Sequence, residues 1–140
     1  METVTVTRDI AAPPGTIRDL IADTEAFMRA GGFDTVVVED DHIELENGVG
    51  LATITLTLTI DTDAEAALRY HQTAGIFEEM ETVYTVEPAA EGTRVTARTN
   101  FALDLEFIGG ILDATVIKRQ RRRELESQFD WLASRAATDG

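Results

Sequence analysis

The sequence predicts an α+β fold: a strand, two short helices, six antiparallel strands and a long C-terminal helix packed in a curved sheet. Three observations predict it. Seven segments alternate apolar and polar residues with a period of two, the mark of a half-buried strand. The turns between the last six are short, which makes those strands antiparallel neighbours. After Gly109-Gly110 the period becomes helical and holds from Ile111 to about Ala136. With 140 residues and 44% apolar side chains, the chain suits one domain, residues 1–140, around one core.

Glu2 to Ile10 is the first strand, with Val4, Val6 and Ile10 on one face and Thr3, Thr5, Thr7 and Asp9 on the other. Pro13-Pro14 ends it, because proline supplies no N–H to a ladder and favours a helix start. Ile17, Leu20, Ile21 and Phe27 recur at helical spacing, and Asp23-Thr24 reads as a break and fresh N-cap between two short helices. Gly31-Gly32 stops the second. Phe33 to Glu39 is strand-like. Asp40-Asp41 turns the chain into a strand carrying Ile43 and Leu45, and Asn47-Gly48 is the hairpin signal that follows. Ala52, Ile54, Leu56, Leu58 and Ile60 face inward against Thr53, Thr55, Thr57 and Thr59. Leu68, Tyr70 and Gln72 share the next inward face, then Met80, Thr82, Tyr84 and Val86. Pro88 to Gly92 is a loop, and Val95, Ala97, Thr99, Phe101, Leu103 and Leu105 complete the last inward face.

The charge is unusual: 26 Asp+Glu against 12 Lys+Arg, a formal net charge of −14, with Lys118 the single lysine. Such a balance repels nucleic acid and anionic membrane. The acids are dispersed rather than gathered in a tail. They serve either a cationic partner or solvation in a salt-rich cytoplasm, and the near-absence of lysine resembles proteins of salt-accumulating microbes. Cysteine is absent, which excludes disulfides, thiolate metal sites and cysteine nucleophiles. No run approaches the roughly 18 apolar residues of a membrane span. The alternating N-terminus has no signal-peptide pattern, so a cytoplasmic protein is expected.

The residues offer little for catalysis or metals. The serines are Ser127 and Ser134, both on the late helix, and nothing resembles a nucleophile elbow. His42 and His71 have outward parity. Asp61/Asp63 and Glu79/Glu81 lie in turns or on outward faces. No metal-ligand spacing and no phosphate loop are present, so no cofactor is expected.

The order of elements and the run Ile10-Ala11-Ala12-Pro13-Pro14-Gly15-Thr16-Ile17-Arg18-Asp19-Leu20-Ile21-Ala22-Asp23 resemble the START-like, or SRPBCC, helix-grip superfamily, which includes the polyketide cyclase/dehydrase and lipid-transport group. The Gly-Gly before a helix ending in Phe129, Trp131 and Leu132 also fits. The family's tryptophan after the short helices is missing here, and Phe27 or Phe33 takes that space. The resemblance implies a cavity between sheet and long helix for a small apolar or amphipathic molecule.

The inward polar groups Tyr70, Gln72, Thr82, Tyr84 and Thr99 either bond to one another or orient a ligand among Ile54, Leu56, Leu68, Met80, Phe101 and Ile111. The run Lys118-Arg119-Gln120-Arg121-Arg122-Arg123 holds five of the twelve positive charges. Leu125, Phe129, Leu132, Ala133 and Ala136, with Ala114 and Ile111, mark the helix's buried stripe. Projected back seven residues from Leu125, Lys118 falls near the stripe's centre, flanked by Arg121 and Arg122. Lys118 and Arg122 then either reach the cavity mouth and pair with Glu78 or Glu106, or line the pocket and hold an anionic or carbonyl group.

The function expected from this is a binding or carrier module for a small hydrophobic ligand: a lipid, an isoprenoid quinone or a polyketide-like compound. One alternative is a cyclase or dehydratase acting on a carbonyl compound through a tyrosine or Lys118; another is an interaction module without ligand. No nucleic-acid partner and no membrane insertion are expected, and the oligomeric state is open.

Charge alone generates one prediction. At −14 the compact state repels itself, and salt shortens the reach of that repulsion from about 10 Å at about 0.1 M to about 3 Å at about 1 M. The melting temperature is expected to rise from dilute buffer to molar potassium chloride. A flat or falling calorimetric series would reject the charge argument.

Overall fold

A computed structural model of the chain describes residues 1–103 and 113–139. Alternation sets the strands: β1 (Glu2–Ile10), β2 (Thr35–Glu39), β3 (His42–Val49), β4 (Ala52–Ile60), β5 (Leu68–Ala74), β6 (Phe77–Ala89) and β7 (Gly92–Leu103). The helices are α1 (Pro14–Ala22), with proline in its first turn, α2 (Thr24–Arg29) and α3 (Ala114–Asp139). The strands form one antiparallel sheet in the order β1-β7-β6-β5-β4-β3-β2. Its inward faces are those read from the sequence: Val4, Val6, Ile43, Leu45, Leu58, Tyr70, Tyr84, Val95, Ala97 and Phe101 are all buried, and the threonines of β4 turn away from them.

The helices cover that inner face. Ile17, Ile21, Phe27 and Met28 are buried beneath α3, which contributes Leu125, Phe129, Leu132 and Ala136. Directed hydrogen bonds fix the layers: Arg18 donates to the Val86 carbonyl at 3.1 Å, Arg29 to the Val36 carbonyl at 2.9 Å, and Ser127 to the Ala30 carbonyl at 2.6 Å.

Three boundaries differ from the sequence reading. The hairpin after β3 turns at Gly50-Leu51, not at Asn47-Gly48, with Val49 opposite Ala52. Gly50 takes the left-handed φ of 62°, while Asn47 turns its amide inward and the Gly48 N–H donates to Asp34 at 2.9 Å. The loop expected at Pro88–Gly92 shrinks to Ala90-Glu91, because Ala89 pairs with Gly92. Phe33 precedes the strand that starts at Thr35. Leu105, Glu106, Gly109, Gly110 and Ile111 lie outside the described residues.

Gly92 shows what the β6–β7 turn requires. Its φ is 154°, and a Cβ there would strike the Ile10 carbonyl oxygen and come within 2.9 Å of the Ala12 nitrogen. The end of β1 closes over this point, where Thr93 donates to the Ala12 carbonyl at 2.6 Å. Gly92→Ala is therefore expected to cost about 2–4 kcal/mol, adding backbone strain to a steric clash. Urea unfolding measures this, and a loss of a few tenths would mean that the β1 end moves aside freely.

Candidate functional site

On α3 the inward positions of the N-terminal half are Ile117, Arg121 and Glu124, followed by Leu125, Gln128, Phe129 and Leu132. These recur at intervals of three and four, one face of a helix. Three of them are polar, and they face the inward polar residues of β5, β6 and β7. The result is a buried hydrogen-bonded cluster.

Arg121, 7% exposed, is its hub. Its Nε donates to Thr99 Oγ1 at 2.9 Å, its Nη1 to Glu124 Oε1 at 3.0 Å, and its Nη2 to the Tyr70 hydroxyl at 2.6 Å and to Thr82 Oγ1 at 3.1 Å. The other Glu124 oxygen accepts from Asn47 at 3.2 Å and Gln120 at 3.3 Å. Tyr84 donates its only proton to Gln128 Oε1 at 2.6 Å, so the Tyr70 hydroxyl, 3.2 Å away, is the donor of that pair. Gln128 passes the direction on, donating to the Phe27 carbonyl at 3.3 Å. Protons thus point one way, from Arg121 through Tyr70 and Tyr84 to Gln128.

Electrostatics set the charge states within the cluster. Burial and the neighbouring Tyr70 oxygen push the Tyr84 hydroxyl well above the usual phenol range, against the opposing pull of Arg121. Burial disfavours the Arg121 cation, but Tyr70, Tyr84 and Glu124 outweigh it and hold the guanidinium above its ordinary value. Tyr84 is neutral and Arg121 charged throughout the physiological range.

Beside this cluster lies a partly open cavity of about 50 Å³. Its polar end is Tyr70, Thr99, Arg121, Glu124, Asn47 and Gln120, and its apolar walls include Phe33, Leu45, Val49, Ile54, Leu56, Phe77, Met80, Phe101 and Ile117. Larger depressions, such as the groove of about 310 Å³ beside Arg8, Arg122 and Asp130, are open surface features walled by charged side chains.

Of the residues singled out from sequence, Ile54, Leu56, Tyr70, Met80, Thr99 and Phe101 meet at the cavity. Thr82 and Tyr84 lie behind it in the hydrogen-bonded cluster. Leu68 is buried in the core away from the cavity. Gln72 shares the inner face, opposite Leu58, but is not among the cavity-lining residues: its amide grips the Phe77 backbone at both ends, 2.8 Å to the carbonyl and 3.1 Å from the N–H, and pins the β5–β6 hairpin. Ile111 lies outside the described residues.

Lys118 and Arg122 require correction. The Lys118 side chain is 44% exposed and its amine is 3.5 Å from Glu2, not from Glu78. Arg122 donates to the Thr5 carbonyl at 3.3 Å. Both tie α3 along β1, as does the Arg8–Asp130 pair. A straight stripe projected from Leu125 misplaces both. The helix crosses a curved sheet, so its inward direction rotates along its length. At about 100° per residue, Ile117, Arg121 and Glu124 centre well away from Lys118. Arg121, Glu124 and Gln128 were missed for the same reason. Their signal was an opposite-charge pair at i, i+3 and an amide at i+7, on the face opposite Tyr70, Thr82, Tyr84 and Thr99.

His71 Nδ1 sits 2.9 Å from Asp61, and His42 is 3.6 Å from Asp41, both on the outer side of the sheet. Among the described residues no group of three His, Cys, Asp or Glu side chains is placed to hold a metal, and no helix is long and apolar enough to cross a membrane.

The buried pair sets a sharp contrast between two charges on one helix. Removing one partner of a buried ion pair strands the other, at a cost of about 3–5 kcal/mol. Glu124→Ala is expected to destabilise by that amount, while Lys118→Met, which breaks an exposed contact, barely changes stability. Denaturant titration of both variants tests this; similar values for the two would mean that Arg121 does not depend on Glu124.

Comparison with known proteins follows the fold. The chain is similar to TTHA0849 from Thermus thermophilus, with a TM-score of 0.77, 21% identity and 99% of each chain covered. It is similar to a START superfamily protein from Mycobacterium smegmatis, with a TM-score of 0.72, 17% identity and 99% of each chain covered. It is also similar to the Zhui aromatase/cyclase from Streptomyces sp. R1128, with a TM-score of 0.77, 16% identity, and 97% of this chain and 93% of that one covered. At these identities the likeness is one of fold. No curated protein matches the chain by sequence. The family model described as polyketide cyclase / dehydrase and lipid transport matches residues 1–137. The helix-grip arrangement and this match together place the chain in the START-like superfamily, as a member of the polyketide cyclase/dehydrase and lipid-transport family.

Proposed function

We propose that the chain binds or carries a small hydrophobic molecule, of the lipid, isoprenoid quinone or polyketide-like kind, between the sheet and α3. The observation that carries this reading is the cavity under the sheet, with apolar walls and one polar end. Affinity would come from apolar burial, at about 25 cal/mol per Å², and orientation from the polar end. Ligand pockets run to roughly 300 Å³ or more, so a ligand must widen this one of about 50 Å³. Phe33 and Phe77 are the aromatic wall residues that are only partly buried, and Phe77 rests on Phe101 at a ring separation of 5.2 Å. Swinging these two rings outward opens the cavity without disturbing the buried cluster.

A catalytic reading has one observation in its favour. The Tyr70 hydroxyl reaches the cavity and is 2.6 Å from Arg121 Nη2, an acid–base group for a carbonyl compound, and one structural neighbour is an aromatase/cyclase. Binding is the preferred reading because Tyr70 already directs its proton at Tyr84. The working compartment we propose is a salt-rich cytoplasm, on the strength of the −14 charge and single lysine.

Native mass spectrometry after gentle extraction from the source cells is the test. A mass excess that disappears on denaturation is expected. Val49→Phe, which puts a ring into the cavity, should abolish the excess while the protein still melts cooperatively. Identical native and denatured masses for the unmodified chain would remove the carrier reading and favour an interaction module with a filled core.

A further inference from the structure

We infer that the polar end of the cavity receives the hydroxyl of a neutral alcohol or phenol and rejects carboxylates; this rests on the binding function proposed above and specifies its ligand. The first ground is charge. Arg121 and Glu124 both line the cavity and lie 3.0 Å apart, so among the described residues the formal charges at the polar end cancel. A carboxylate would bring a second negative charge beside Glu124 with no cation left to balance it.

The second ground is a count of donors and acceptors. A guanidinium has five N–H groups, and four are donated, to Thr99, Glu124, Tyr70 and Thr82; the one left is on Nη1. A carboxylate has about four lone-pair sites, and Glu124 accepts three bonds, from Arg121, Asn47 and Gln120, leaving about one. Tyr70 and Tyr84 send their protons away from the cavity towards Gln128. Within the ion pair itself, one donor and one strong acceptor remain, on neighbouring side chains. A hydroxyl supplies the matching pair: it donates to Glu124 and accepts from Arg121. A ketone can accept but leaves the carboxylate site unused. A carboxylate can only accept, and meets Glu124 as a like charge.

Equilibrium dialysis of the full chain at neutral pH against three probes of one skeleton tests the inference: β-naphthol, naphthalene and β-naphthoate. The naphthol is expected to bind at least about tenfold more tightly than either of the others. Naphthoate binding as well as or better than naphthol, or naphthalene matching naphthol, would overturn the inference and leave the binding function standing. No binding of any probe would count against the binding function itself, and the inference would fall with it. Glu124→Gln supplies a second readout: with the balancing charge gone, naphthoate should gain and naphthol lose, reversing the order. If that variant does not fold, the ranking on the unmodified chain decides alone. A folded variant that keeps the original order would overturn the assignment of the discrimination to Glu124.

Discussion

A guanidinium charge is held under the sheet, and the positions of its partners follow from that fact. An arginine in an apolar interior is tolerable only with a counter-charge and with its fork of donors satisfied. Glu124 supplies the first from the next turn of the same helix. The second comes from β5, β6 and β7 through Tyr70, Thr82 and Thr99, and Asn47 on β3 holds the far side of Glu124. The apolar residues of α3 would pack at several registers against a sheet of similar side chains. The ion pair and its acceptors admit one. Helix register and the polar end of the cavity thus depend on the same few bonds.

The neighbouring cations of the basic run show how one charged stretch divides its labour. Arg119 and Arg123 face solvent, Arg121 goes inside, and Lys118 and Arg122 reach sideways to β1. β1 is an edge of the sheet, and an open edge invites pairing with another chain. Placing α3 and its cations along β1 obstructs that edge. A run that resembles a nucleic-acid patch in one dimension is dispersed by the helix into three separate structural tasks.

The sheet was legible in the sequence because period-two alternation is a local signal, and nearly every inward residue read from it is buried. The cavity's strand side was legible for the same reason: Ile54, Leu56, Tyr70, Met80, Thr99 and Phe101 all come from parity alone. The helix side was not. Which of Lys118, Arg121 and Arg122 turns inward depends on the angle at which α3 crosses a curved surface, and no residue of the helix records that angle. Gln72 shows another limit. Parity places it inward, opposite Leu58, but its amide is taken up by the Phe77 backbone across the hairpin, a partner that depends on the shape of the turn. The Asn47-Gly48 signal failed because the asparagine has a partner on α3, 77 positions along the chain, and a long-range bond outweighed a local turn preference.

The aromatic residues give the cluster an optical property. The chain has two tyrosines and one tryptophan. Both phenols belong to the buried cluster, and Phe27 links it to the indole, edge-on to Tyr84 at 5.0 Å and 6.3 Å from Trp131. No tyrosine elsewhere contributes a background. The near-ultraviolet circular dichroism of the phenol bands therefore arises entirely from the interior around Arg121, and any event that rotates those rings or recharges their surroundings is visible without a label.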